Sequence, residues 1–153
     1  HDPMAMLPFC GYHMADYWQH WLDMGRRGGK LMPKVFHFNW FRKSSDGKWL
    51  WPGFGANMRV LRWIVERVRG RGAAVETPIG YLPTARALDV TGLNVGGAEL
   101  QQLLRADVAA WLAEAREHGK YFRLFDDRLP PGIAEENSAL RHRLSREQEA
   151  LLK

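Results

Sequence analysis

A single cysteine, Cys10, stands in the 153 residues, so no disulfide can close within the chain. A disulfide-stapled secreted scaffold is excluded, and a reducing, cytoplasmic setting is the natural expectation. The histidines and the cysteine show no structural zinc spacing. Missing too is any apolar run near the roughly 20 residues that a membrane span needs. The opening His1-Asp2-Pro3 lacks the charged-then-apolar plan of a secretory leader. A soluble chain with no membrane partner is expected. No glycine-rich loop ends in Gly-Lys-Ser or Gly-Lys-Thr, and residues 25–30 have neither the length nor the following helix of a phosphate loop. There is no internal repeat and no low-complexity tract. The chain does not open on methionine, which leads us to expect that a segment precedes His1.

What is present fits one ordinary domain, since 46% apolar residues can build a packed core at this length. A formal charge of +5 and a pI near 9.7 would attract anions. Much of that charge is arginine in a helical stretch (Arg59, Arg62, Arg67, Arg69), which reads as a solvated helix face. Glu114, Arg116 and Glu117 read the same way. Cys10, with no base or helix start beside it, reads as a packed thiol. The pair His1-Asp2 has no third ligand nearby and reads as structural or solvent-facing.

Tyr17, Trp18, Trp21 and Leu22 recur at helical intervals across 12–27, with Asp16 and His20 as an i, i+4 pair, and Gly25 and Gly28-Gly29 closing the helix. After Pro33, residues 34–41 read as a strand, in which His37 is a hydrogen-bonded core histidine. Ser44-Ser45-Asp46-Gly47 is a hairpin turn, returning through a short strand at 48–51. Pro52-Gly53-Phe54-Gly55 forms a shaped loop, and Asn57 caps a helix with an apolar stripe of Val60, Leu61, Ile64, Val65 and Val68. Residues 73–97 read as extended connections with at most a short turn. Helical spacing resumes from Leu100 to Leu112 with a short break near Asp107, and Pro130-Pro131 introduces a last helix carrying Ile133, Leu140, Leu144 and Leu151. The expected class is a mixed α/β piece: a short β-hairpin with a nucleotide loop, then a mainly helical C-terminal half.

Seven of the eighteen aromatic residues lie between Phe36 and Phe54, and several flank the glycine loop instead of forming a helical stripe. Aromatic faces stack on flat ligands, and glycine lets a backbone come close to one. Asn57 carries both a donor and an acceptor, which is the equipment for reading a base edge. The same aromatics would equally serve as the core of a hairpin packed on a helix. Composition leaves both open.

The order of residues adds to this. Asn39-Trp40-Phe41-Arg42-Lys43, Asp46-Gly47-Lys48, Leu50-Trp51-Pro52-Gly53-Phe54-Gly55, Asn57 and Arg59-Val60-Leu61 resemble the guanine-binding segment of the GTP-dependent phosphoenolpyruvate carboxykinases. His1-Asp2-Pro3-Met4-Ala5-Met6, Pro8-Phe9-Cys10-Gly11-Tyr12, His20-Trp21-Leu22, Leu31 through Phe41 and Thr77-Pro78-Ile79-Gly80-Tyr81 also look like that family, in the family's order, and Asp126-Asp127-Arg128-Leu129-Pro130 is similar to its C-terminal helical region. The likeness covers nearly the whole chain. It implies that residues 1–153 are the C-terminal part of the nucleotide-binding domain, with 1–96 the guanine-pocket region and 97–153 a helical region.

The resemblance further implies that Phe41 and Phe54 hold the two faces of guanine, with Trp49 as a further aromatic wall. Asn57 hydrogen-bonds the base, the backbone around Trp40 adds polar contacts, and Gly55 and Ala56 give the loop its shape. Trp49 stands where phenylalanine is common in the family, Ala56 where an acidic residue is common, Leu7 where arginine is common, and His13 where asparagine is frequent. The implied reaction converts oxaloacetate and GTP to phosphoenolpyruvate, GDP and CO2. Its Mn2+ or Mg2+, its phosphate loop and its catalytic groups lie in the portion upstream, just beyond a mobile lid that ends near His1. No catalytic residue and no metal ligand is expected in this chain, which should be inactive alone. Its partners are a guanine nucleotide and the remaining N-terminal portion of the enzyme, not a nucleic acid. Two other readings stand beside this one: a single-stranded nucleic-acid binder whose aromatics stack on bases, and a structural helical-hairpin domain for protein contacts.

Overall fold

The computed structural model describes residues 6–152, so the His1-Asp2 pair lies outside the described residues. The elements are α1 (Met14–Gly28), α2 (Asn57–Val68), β1 (Ala74–Thr77), β2 (Gly80–Pro83), α3 (Gly97–Leu104), α4 (Val108–Phe122) and α5 (Pro131–Leu151). The mixed α/β class is as expected. The chain divides into two compact units, His1–Pro33 with Asp107–Lys153, and Lys34–Ala106. Among the described residues, no helix is long and apolar enough to cross a membrane.

The first unit is organised around Trp18. Residue spacing on α1 puts Met14, Ala15 and Trp18 on one face, where they form a buried core with Phe125. Trp18 meets Phe125, Phe122 and Tyr121 at ring separations of 4.7, 5.6 and 6.2 Å. Tilted and edge-on aromatic contacts of this kind add to the free energy of area burial. His13 starts α1 by accepting the Ala15 N–H at 3.3 Å on its Nδ1, so an imidazole fills the capping role that asparagine serves well. Gly29, with φ of 47°, ends the helix as the glycine pair foretold. Asp16 does not pair with His20 as expected. It accepts two hydrogen bonds from the Arg128 guanidinium at 3.0 and 3.1 Å instead, because a fork of fixed donors matches a carboxylate better than an imidazole. Cys10 is half-buried, its Sγ 3.5 Å from Met14 Sδ. The break expected near Asp107 is real. Its carboxylate caps α4 through the Ala110 N–H at 3.0 Å. Proline at the first position of α5 starts that helix without losing a hydrogen bond, and Leu144 is sealed from solvent beneath it.

The second unit packs Trp63, Leu88 and Leu100 together, with Phe36, Val60 and Ile64 around them. The indole of Trp63 donates to the Ala73 carbonyl at 3.0 Å, which satisfies its polar atom while the ring is buried. Several expectations need correction here. Neither 34–41 nor the expected return segment 48–51 forms a strand, because among the described residues the two arms share only one bridge, Lys43 to Trp49, and an unpaired extended segment has no ladder to join. His37 is accordingly exposed and not part of a core. The regular two-stranded hairpin lies later, with Ala74 opposite Pro83 and Thr77 opposite Gly80. Its two-residue connection closes on Gly80, whose φ of 116° only glycine adopts freely. The stripe expected on α2 also splits: Val60 and Ile64 turn inward with Trp63, while Leu61, Val65 and Val68 face out.

Candidate functional site

Residues 39–57 form one continuous loop system within the second unit. The Asp46-Gly47 reversal occurs as read, with Gly47 at φ 81° and its N–H donating to the Ser44 carbonyl at 3.0 Å. The Asp46 carboxylate accepts the Ser44 hydroxyl and pairs with Lys48, and these two hold its pKa below the ordinary carboxylate range. Ser44 N–H to Lys48 O at 2.9 Å and Leu50 N–H to Arg42 O at 3.0 Å zip the two arms together.

That zip is what assembles the aromatic wall. Phe41 and Trp49 come to a centroid separation of 5.9 Å at 66°, and the Lys43 ammonium sits 4.3 Å from the Trp49 ring centre. Both rings are exposed, so they present faces outward and do not build a core. Trp40 is half-buried, leaning on Phe38 at 4.6 Å. Asn39 Oδ1 accepts the Phe41 N–H at 2.8 Å, a local turn that sets the direction in which Phe41 leaves the backbone.

The other arm is anchored from below by buried Leu50 and Trp51. Gly53 then takes φ 96° and ψ −149°, conformational space open essentially to glycine alone, and throws the chain into a single 3-10 turn, Phe54–Ala56. Ala56 is buried and its N–H donates to the Gly53 carbonyl at 2.9 Å, so it shapes the turn without offering a free backbone donor. Phe54 projects from that turn 95% exposed and makes no ring contact among the described residues. The structure therefore joins Phe41 with Trp49 but leaves Phe54 on its own.

Asn57 is the first residue of α2 and does not cap it, since the cap position falls to Ala56, which has no side chain to serve. Its Oδ1 accepts the Trp51 indole N–H at 2.9 Å instead. An indole is a donor only, so the contact fixes which end of the amide is oxygen and turns the NH2 group away from Trp51. Two residues outside the predicted set thus matter. Trp51 orients the asparagine. Arg42 ties the loop to the end of α3 through the Leu103 and Arg105 carbonyls at 2.9 and 3.3 Å, where a helix leaves acceptors unpaired and favours a cation. Trp51 was readable as an aromatic beside a glycine loop. The partners of Arg42 lie some 60 residues away, and no local pattern announces them.

The two glycines of the loop make separable predictions. Gly53→Ala is expected to destabilise the loop by about 1–3 kcal/mol through its positive φ. Gly55 has no positive φ, and an added Cβ would meet nothing within 4 Å. Gly55→Ala should therefore leave the thermal midpoint unchanged, and any loss of ligand affinity it causes would come from the ligand lying against that position. Thermal melts and binding curves for both variants check this.

Among the described residues, no group of three His, Cys, Asp or Glu side chains converges as a metal site. The arrangement can offer flat apolar faces, an oriented amide and a rigid loop, which is equipment for recognising a planar, hydrogen-bonding ring.

The model of the phosphoenolpyruvate carboxykinase C-terminal P-loop domain matches residues 1–143. Curated proteins named phosphoenolpyruvate carboxykinase [GTP] are similar throughout. The one from Neocallimastix frontalis is 49% identical over 94% of this chain, that from Chlamydia muridarum 48% over 94%, and that from Corynebacterium efficiens 43% over 97%. Each is matched over 24% of its own length, so the chain spans about a quarter of these relatives.

Proposed function

The chain belongs to the GTP-dependent phosphoenolpyruvate carboxykinase family, and from that premise we propose that it is the guanine-recognition portion of such an enzyme. The complete enzyme breaks the carboxylate carbon–carbon bond of oxaloacetate, releases CO2, and moves the γ-phosphoryl group of GTP onto the enolate oxygen, leaving GDP. The divalent ion, Mn2+ or Mg2+, supplies charge neutralisation at the phosphates when bound. The described residues of this chain bring no ligand set for it, and we assign it to the upstream portion. A cytoplasmic setting goes with this reading.

Within that reading Phe41 and Phe54 cover the faces of the base, and Trp49 extends the wall beside Phe41. Asn57 supplies specificity. The observation that carries this is the Trp51–Asn57 hydrogen bond, because it commits the amide oxygen and leaves the NH2 donors for the ligand. Guanine carries an acceptor at O6 where adenine carries an amino donor. A fixed donor therefore gains a hydrogen bond with guanine and faces another donor with adenine, and an unpaired buried group costs about 1–3 kcal/mol. The backbone near Trp40 adds polar contacts, and Gly55 and Ala56 give the ligand room.

Titrating the chain with GTP, with ATP and with a short single-stranded oligonucleotide, followed by tryptophan fluorescence, tests the proposal. A saturable GTP response that ATP does not match is expected. An oligonucleotide response with steep salt dependence and no GTP preference would favour a nucleic-acid binder, and no response to any of the three would favour a purely structural domain.

A further inference from the structure

Helix α2 has two apolar faces, and only one is used. Val60, Trp63 and Ile64 pack inward into the core of their unit. Met58, Leu61, Val65 and Val68 recur at i, i+3, i+7 and i+10, which gathers them into a strip of ~80° of the helix circumference. None of the four belongs to that core, and their exposures run from 39% at Leu61 to 68% at Met58. Single exposed apolar residues are ordinary, but a continuous bulky stripe along three turns marks a surface that something covers. One edge of the stripe is basic. Arg62 flanks it within the helix and Arg69 stands at its C-terminal end; both are exposed, and among the described residues neither guanidinium makes a hydrogen bond or a close ion pair, though both stand near enough to Glu66 to lower its pKa.

We infer that this stripe is the seat of the preceding portion of the carboxykinase polypeptide, which meets it with an apolar surface and with carboxylates facing Arg62 and Arg69. The inference rests on the reading of the chain as part of a larger enzyme. The relatives are matched over 24% of their length, so some three quarters of each must pack somewhere. The stripe begins at Met58, the residue after Asn57, on the same rigid helix. Seating α2 therefore also fixes where the Asn57 amide stands relative to the rest of the enzyme, and the interface is a positioning device for the base pocket as well as a source of stability.

The test uses single cysteines introduced one at a time in a Cys10→Ser background: L61C and V65C on the stripe, V60C on the inward face, and E149C as an exposed reference. Each is made in the 153-residue chain and in a chimera in which this chain replaces the matching quarter of the Neocallimastix frontalis enzyme. In the chimera, L61C and V65C are expected to react with a maleimide at least about 10-fold more slowly than E149C, as V60C does, because a covered thiol must wait for local opening. In the chain alone, L61C and V65C should react quickly. Stripe cysteines that react as fast as E149C in the chimera would overturn the inference. So would slow reaction in the isolated chain accompanied by sedimentation as a dimer, which would assign the stripe to a second copy. GTP affinity of the chimera is measured in parallel. Protected cysteines without GTP binding would leave the seat intact and sink the guanine reading, and GTP binding with unprotected cysteines would do the reverse.

Discussion

Replacing Phe54 by alanine in a full-length carboxykinase that carries this segment is expected to weaken GTP binding about 5- to 150-fold, the equivalent of ~1–3 kcal/mol for one base stacked on one ring. The fold should not notice. Phe54 is exposed and, among the described residues, without ring contacts, so truncation opens no cavity and removes no core packing. Phe41→Ala is less clean, because it also deprives Trp49 of its edge-on neighbour. Asn57 has a different signature. Asn57→Leu strands the indole N–H of Trp51, a buried ring, and so costs stability as well as recognition. Asn57→Asp keeps the oxygen that Trp51 needs and replaces the NH2 donor with a second acceptor, so it should erode the preference for GTP over ATP while phosphate contacts survive. ITP, which shares the O6 acceptor, should follow GTP. Affinities of the three nucleotides for both variants, with melts to confirm folding, decide the matter. If Phe54→Ala and Asn57→Asp keep parental affinity and base preference, the guanine pocket is elsewhere.

The second large effect is an absence of turnover. The 153-residue chain, given GTP, Mn2+ and oxaloacetate, is expected to form no phosphoenolpyruvate above the buffer rate. Phosphoryl transfer is catalysed mainly by positioning and charge stabilisation around the phosphates, and the chain's sequence holds no phosphate loop. Among the described residues there is no convergent ligand cluster either. A coupled assay for phosphoenolpyruvate on rigorously purified chain checks it, and turnover that copurifies with the chain would refute it. Base binding by the isolated chain is expected to survive under the proposed reading, because the elements that shape the loop, from Asn39 to Asn57 and on to the end of α3, all belong to one compact unit.

How far the sequence could be read depended on the range of the interaction that shaped each element. Helix ends came through, since Gly29, Asp107 and Pro131 act within a turn of where they stand. The Asp46-Gly47 reversal came through for the same reason. The strand expected at 34–41 did not form, because β structure needs a partner and residue pattern alone cannot supply one. The hairpin at 74–83 lies where the sequence reads as extended connection, being only four residues a side and dominated by its turn. On α2 the periodicity was right but its meaning was not. Five apolar residues looked like one stripe, and the position of Trp63, at the centre of the packed face, decides which of them go inside. At the site, the order of residues marks out Phe41, Trp49, Phe54 and Asn57, but the fold joins only Phe41 with Trp49 and leaves Phe54 apart. That the asparagine is turned by Trp51, and the whole loop held by Arg42, are facts of three dimensions.

The interleaving of the two units sets an order of events during synthesis. Residues Lys34–Ala106 emerge as an uninterrupted stretch, whereas the other unit needs its opening piece and Asp107–Lys153 together. At ~5–20 residues per second, the final stretch takes about 2–9 s to translate, far longer than a small domain needs to collapse. The loop at 39–57 can thus be complete while Trp18, already made, still waits in water for Phe125. Over that interval the hazard to the nascent chain is the aromatic face of α1, and a chaperone that samples it would be expected to find α1 before it finds the loop at 39–57.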